Sequence, residues 1–405
     1  MIAQTRELDA ADPLGQFRGE FILPGDIVYL DGNSLGALPR RTPEAMRRAV
    51  EEEWGQGLIR SWNEAGWFEM GARVGGKIAP LIGAHPHEVI ACDSTSVNLF
   101  KLIAAGLQMR PGRNVVLSEP GNFPTDLYMI EGLERQGLAS RRLAEREKLA
   151  KALDEDVAVL MLTHAHYKTG ELFDMKALTE AAHRAGALVL WDLSHSTGAL
   201  PVDLAGAKAD FAVGCGYKYL CGGPGAPAFA YVAERHHAAL AQPLTGWFGH
   251  ARPFVFSDDY EGAPGIEQLQ CGTSPILGLT ALEVGVDLIA EIGVRRLHTK
   301  SQALSEFFLQ CLAELGIDLE LVSPAASHAR GSQLSFRHDE AYSICQALIA
   351  RGVIGDFRDP DILRLGFAPA YLRFEDMATA AMQLAQVLAQ EEWRSEDIGR
   401  RATVT

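Results

Sequence analysis

The sequence predicts an α/β fold built on a largely parallel sheet, accompanied by a smaller α+β unit. Three observations predict it. From about residue 85 to 235, short β-branched runs alternate with helix-patterned segments, the mark of βαβ units. After about residue 275 a long helical stretch gives way to strand-like pieces separated by helices. The first 60 residues follow neither pattern, and their LDGNSLGALP segment reads as an ordered loop before a helix.

In chain order, residues 1–60 are assigned as an N-terminal segment joining the small domain, 61–275 as the large domain and 276–405 as the C-terminal small domain. Within the large domain the candidate strands are Val89–Cys92, Asn114–Leu117, Val157–Leu162, Ala187–Trp191, Phe211–Val213 and Ala228–Val232. Between them lie segments such as Asp174–Ala185, with an Asp cap and apolar residues three and four apart, which predict helices. In the small domain the helical stretch runs from Pro275 to Leu315, and Asp318–Val322, Gln333–Phe336 and Ile362–Leu365 read as strands. In open α/β sheets ligands bind beyond the carboxyl ends of the strands, so the residues that follow each strand are where chemistry is expected.

Composition removes several classes of function. The 37 Lys+Arg against 52 Asp+Glu leave a formal charge of −15, which excludes a general nucleic-acid binder driven by phosphate neutralisation. No run of about 18 apolar residues occurs, so no membrane span is expected. Six scattered cysteines without a C-x-x-C pair argue against a disulfide framework and a zinc ribbon, and fit a reducing, cytoplasmic setting. The N-terminus has acids early and no basic start followed by an apolar core, unlike a secretory leader.

Two strand ends stand out. One strand ends in Asp192-Leu193-Ser194-His195, and a later one in Gly214-Cys215-Gly216-Tyr217-Lys218. Either alone reads as a turn residue or a surface lysine. Together they point to pyridoxal phosphate, which needs a lysine for a Schiff base and a carboxylate to keep its pyridine nitrogen protonated. Asp93-Ser94-Thr95-Ser96, between a strand and a helix beginning near Val97, offers hydroxyls and N–H groups for the phosphate, although by itself it is a capped helix start.

With those residues assembled, the chain resembles the pyridoxal-phosphate enzymes of the class V aminotransferase type and, within them, the kynureninases. The resemblance spans nearly the whole chain. It rests on YLDGNSLGALP (29–39), EEWGQGLIRSWNEAGW (52–67), DSTSVNLFK (93–101), NFPTDLY (122–128), WDLSHSTGALPVDL (191–204), GYKYLCGGPGAP (216–227) and LTGWFGH (244–250). It implies fold type I, the pyridoxal-phosphate-dependent transferase-like fold, with a mainly parallel sheet of the seven-stranded type.

The resemblance also implies roles. Lys218 would carry the cofactor, Asp192 would pair with its ring nitrogen with Asp126 and His195 nearby, and Phe123 would stack on the ring. Ser94, Thr95, Tyr217, Trp247 and Thr273 are implied phosphate or ring contacts, with Thr163 at another strand end beside them. Trp247 and Thr273 would reach across a homodimer interface with shared active sites. Arg364 would grip the substrate carboxylate, and Trp62, Asn33, Ser34 and Gly272 are further candidates for substrate contact. Tyr217 would donate the proton to the β carbon.

The implied activity is hydrolysis of the Cβ–Cγ bond of L-kynurenine to anthranilate and L-alanine, in tryptophan catabolism and supply to NAD biosynthesis, with 3-hydroxykynurenine left open as a substrate. The alternatives are an aminotransferase or cysteine desulfurase of the same fold, or a non-catalytic cofactor-binding regulator. Desulfurases typically carry His before the cofactor lysine where this chain has Tyr217, and no basic helix-turn-helix extension is present for a regulator. His164-Ala165-His166 lacks a nearby third ligand for a metal, so no metal is expected. Nothing beside Cys221 predicts a lowered thiol pKa.

Overall fold

Two apolar runs decide the centre of the molecule. VAVLMLT at Val157–Thr163 and LVLWD at Leu188–Asp192 are buried at every position, as in parallel strands covered on both faces. Alternate residues feed separate cores, with Leu160, Leu162, Val189 and Trp191 on one face and Val159, Met161, Leu188 and Leu190 on the other. The structure, a computed structural model, describes residues 2–394.

The large sheet has seven strands: β1 (Val89–Ala91), β2 (Val115–Ser118), β3 (Ser140–Leu143), β4 (Val157–Thr163), β5 (Leu188–Asp192), β6 (Phe211–Gly214) and β7 (Phe229–Val232). Their order is β1-β7-β6-β5-β4-β2-β3. β7 runs antiparallel to both neighbours and the other four pairs are parallel. β1 to β6 therefore all point one way, and their carboxyl ends share one edge. Six of the seven strands lie within one residue of their sequence-predicted bounds at each end. β3, SRRL, is the one the sequence reading lacks: it lies at the end of the sheet, with Arg141 and Leu143 exposed.

Two helix starts follow from side-chain caps. The helix Thr95–Gln108 begins two residues before Val97 because Ser94 Oγ accepts the Val97 N–H at 3.3 Å, and Met175–Arg184 begins behind Asp174, which accepts from Ala177 N at 2.9 Å.

The small unit holds an antiparallel sheet of β8 (Glu320–Leu321), β9 (Gln333–Arg337), β10 (Asp356–Arg358) and β11 (Ile362–Gly366), in the order β8-β9-β11-β10. β10 was not expected from sequence. Val28–Tyr29 pairs in parallel with Val353–Ile354, and Asp31 bridges to Gly366, so part of the N-terminal segment is stitched to this unit. The stretch expected as one helix is two, Ile276–Ile292 and Val294–Glu314, separated by Gly293 at φ +92°. The first packs on Met70–Ile78 and Thr42–Arg48, the second on Phe374–Ala389. We propose the division 1–60, 61–275 and 276–405, with Gly293 as the point where the chain changes packing partners. No helix among the described residues is long and apolar enough to cross a membrane.

Candidate active site

The carboxyl-end edge gathers one residue set around a cavity of about 290 Å³, lined by Ser94, Thr95, Phe123, Asp126, Thr163, Asp192, His195, Tyr217 and Lys218, together with Ser96, Thr125, Tyr167 and Ser194. β1 delivers the serine–threonine run, β2 leads to Phe123, β4 ends in Thr163, β5 in Asp192, and β6 leads to Lys218.

Lys218 is buried, and its Nζ lies 2.9 Å from His195 Nε2. Burial, then the Lys218 charge, hold the His195 pKa well below the ordinary imidazole value. With the ring neutral, Nε2 accepts from Lys218 Nζ and Nδ1 carries the hydrogen. That buried Nδ1 has no hydrogen-bond partner among the described residues.

Two carboxylates share the floor. Asp192 and Asp126 are 3% and 1% exposed, and burial raises the pKa of both, Asp126 further through the Asp192 charge. Asp192 Oδ1 accepts from Ser194 N at 2.8 Å and Ser194 Oγ at 2.6 Å, which fixes the carboxylate's orientation. Thr163 Oγ1 lies 2.5 Å from Asn122 Oδ1 and 3.1 Å from Asp126 Oδ2. Asn122 Oδ1 also takes the Phe123 N–H, so it is the acceptor there. The Thr163 hydroxyl, with one hydrogen, divides its donation between the Asn122 and Asp126 oxygens. Its bond to Asp126 lowers that carboxyl's pKa, against the larger upward effect of burial. The other Asp126 oxygen, Oδ1, is buried without a hydrogen-bond partner among the described residues.

The remaining expected residues lie elsewhere. Arg364 is 1% exposed and does not line the cavity. Its Nε donates to Asp356 Oδ1 at 2.8 Å, Nη2 bonds Asp356 Oδ2 and donates to Ser34 Oγ at 2.9 Å, and Nη1 donates to Tyr167 O at 2.7 Å. Of five N–H groups one on Nη1 remains, so a two-pronged grip on a substrate carboxylate would have to displace a partner. Ser34 thus belongs to this ion-pair network, and Asn33 is buried beside it with neither side-chain polar atom hydrogen-bonded among the described residues. Trp62 packs edge-on against Trp67 and Phe248. Trp247 is 42% exposed, Thr273 is exposed and Gly272 half-buried, all outside the cavity of this chain.

The sequence reading missed Asp356, Arg358, Asn122, Tyr167 and Ser194. Arg358 Nη2 pairs with Asp356 Oδ2 at 2.7 Å, so two arginines share one aspartate. Only Ser194 carried a signal, as the hydroxyl two residues after a strand-end Asp, a spacing that favours a local side-chain hydrogen bond. His164 and His166 do not converge: the first contacts Ser196 Oγ and the second the Gly121 carbonyl. Burial pushes the Cys221 thiol up to about 12.

The residues fit pyridoxal phosphate. Buried atoms without partners, Asp126 Oδ1 and His195 Nδ1, border a cavity whose floor carries carboxylates suited to a protonated ring nitrogen. The hydroxyls of Ser94 and Thr95 stand at the start of a 14-residue helix, where a phosphate is favoured.

Six co-directional strands that bring an aspartate and a lysine from neighbouring ends to one cavity define the class: fold type I. Solved structures of that fold agree. One is the apo structure of cysteine desulfurase from Thermococcus onnurineus NA1, at TM-score 0.80 and 19% identity, covering 93% of this chain and 98% of that one. Another is a C-DES mutant with glycine covalently linked to the PLP cofactor, at TM-score 0.81 and 17% identity, covering 91% and 98%. The particular family comes from sequence. Residues 297–384 match the kynureninase C-terminal domain. The chain is 49% identical to a kynureninase of Burkholderia mallei (strain SAVP1), over 99% of this chain and 100% of that protein. It is 46% identical to one of Pseudomonas fluorescens, over 98% of each. The chain belongs to the kynureninase family.

Proposed function

We propose that this chain hydrolyses the Cβ–Cγ bond of L-kynurenine, giving anthranilate and L-alanine, with pyridoxal phosphate held at Lys218. The observation that carries the reading is the Lys218–His195 contact at 2.9 Å, in a cavity holding two buried carboxylates, in a chain of this family. When bound, pyridoxal phosphate supplies an electron sink for the charge left when a proton leaves the substrate's α carbon. Lys218 Nζ is the base placed to take that proton, and neutral His195 orients it by accepting its hydrogen bond. Asp192, oriented by Ser194, holds the proton on the ring nitrogen. Ser94 and Thr95 bind the phosphate and Phe123 covers the ring. Tyr217 Oη gives its proton to the β carbon, and burial, which raises its pKa, keeps it protonated until then.

Desulfurase or aminotransferase activity is not favoured, because likeness to the desulfurases is one of fold at 19% identity or less, whereas likeness to kynureninases covers the sequence at 46–49%. We further propose a cytoplasmic homodimer acting in tryptophan catabolism, in which Trp247 and Thr273 complete the partner's site. The support is a patch of Trp247, Phe254, Val255 and Phe256, exposed by 42%, 65%, 61% and 78%, of the kind that marks an interaction surface. The decisive test is incubation of purified, cofactor-supplemented protein with L-kynurenine. Anthranilate is the expected product, and its absence beside sulfide release from cysteine would overturn the reading.

A further inference from the structure

One charged group next to the phosphate end has no part in the chemistry above. Lys101, on the helix Thr95–Gln108, is 0% exposed. Its Nζ lies 2.8 Å from Asp93 Oδ2, 2.6 Å from the Leu269 carbonyl oxygen and 3.7 Å from Cys92 Sγ. An ammonium persists in such a place only when paired and hydrogen-bonded.

The partners explain its value. Asp93 takes φ +49°, a left-handed backbone uncommon for a residue with a side chain, and it stands directly before Ser94 and Thr95. Leu269 leads into Gly272 and Thr273. Across from that segment, a Cβ on Gly246 would lie 1.4 Å from the Cys271 carbonyl oxygen, so the turn carrying Trp247 rests backbone to backbone on the strip that Lys101 holds. One ammonium ties the Asp93 turn to the Leu269 strip, on which the Trp247 turn rests.

We propose that Lys101 is a positioning residue for the phosphate half of the cofactor site, locking the Asp93 turn to the Leu269 carbonyl and so setting Ser94, Thr95 and the 269–273 segment. The proposal rests on the reading of Ser94 and Thr95 as phosphate contacts. Without the ammonium, the Asp93 carboxylate stands uncompensated beside the place of a phosphate.

The test compares two ligands on the apoprotein, pyridoxal 5′-phosphate and pyridoxal, which lacks the phosphate. Lys101→Met is expected to weaken the phosphate form by about 10- to 100-fold, the range seen when a supporting outer residue is lost, and pyridoxal by no more than about twofold. Equal losses for both ligands, or no loss, would reduce Lys101 to a structural residue and overturn the proposal. Thr95→Ala separates the two layers of argument. If it leaves the ratio of affinities unchanged, the phosphate reading falls and this proposal with it. If it lowers the ratio while Lys101→Met does not, only the Lys101 proposal falls. Should Lys101→Met not fold, Lys101→Arg keeps the charge but changes the reach to Asp93 Oδ2 and the Leu269 carbonyl, and the same selective or equal loss decides.

Discussion

Burial holds the His195 pKa well below the ordinary imidazole value, which disfavours its protonated form, so in the proposed mechanism Lys218 rather than His195 moves the α proton. Tyr217 is proposed for the opposite task. Tyr217→Phe should slow alanine formation by about 10²- to 10⁴-fold, the range for general acid catalysis, while leaving a burst of anthranilate measurable by rapid quench. Unchanged alanine formation would remove Tyr217 from the proton path. Asp192→Ala should bind pyridoxal phosphate more weakly and turn over far more slowly at saturating cofactor, and full activity there would mean that another group holds the ring nitrogen's proton. Reduction of the loaded protein with borohydride and peptide mapping should mark Lys218, and a mark on a different lysine would displace it. Much of this site was legible, because Asp192, Lys218, Thr163 and Ser94 each follow a strand in sequence and the sheet converts that into proximity. Arg364 shows the limit. The resemblance implied a grip on the substrate carboxylate, and nothing in the sequence pointed to the carboxylate Arg364 meets within the chain, Asp356, eight residues back and brought opposite by the pairing of β10 with β11. A register between two short strands leaves no local trace.

At the scale of elements, apolar content governed what could be read. The buried strands announced themselves, whereas β3, with two arginines among its four residues, and β10, only three residues long, did not. The helix break at Gly293 was hidden because apolar residues continue on both sides of it. The end of β6 away from Lys218 carries a separate anchor. Asp210, just before β6, accepts from His183 and His236 Nε2 at 2.8 Å each, from Arg235 at 2.7 Å and from Val189 N at 2.8 Å. Burial presses its pKa up, and the two histidine hydrogen bonds with the His183 charge and the Val189 N–H more than offset this, leaving it below the ordinary carboxylate value. A depressed folded-state pKa adds stability that is complete above the unfolded value, about 3.9, and is lost as pH falls towards the folded one. Asp210→Asn should therefore cost about 1–3 kcal/mol at pH 7, measured by denaturant unfolding. The gap from wild type should shrink below about pH 4. A gap independent of pH would show that the charge of Asp210 contributes nothing.

For the molecule as a whole, the exposed aromatic patch predicts a mass in sedimentation of about twice the 43.9 kDa chain, and an active monomer at assay concentration would exclude shared sites. Within one chain, the break at Gly293 has a mechanical meaning. The helix before it is fastened to the body that holds Lys218, and the helix after it to the body that holds Arg364. A rigid rod through that point would weld the two bodies at a fixed angle. Instead a single residue without a side chain joins them, at a φ of +92° that other residues rarely adopt. Gly293 is where the chain makes the turn: its φ sets the angle between the helix packed on Met70–Ile78 and the helix packed on Phe374–Ala389. The relative placement of Lys218 and Arg364 is thereby set in part at one residue, 75 residues along the chain from the lysine.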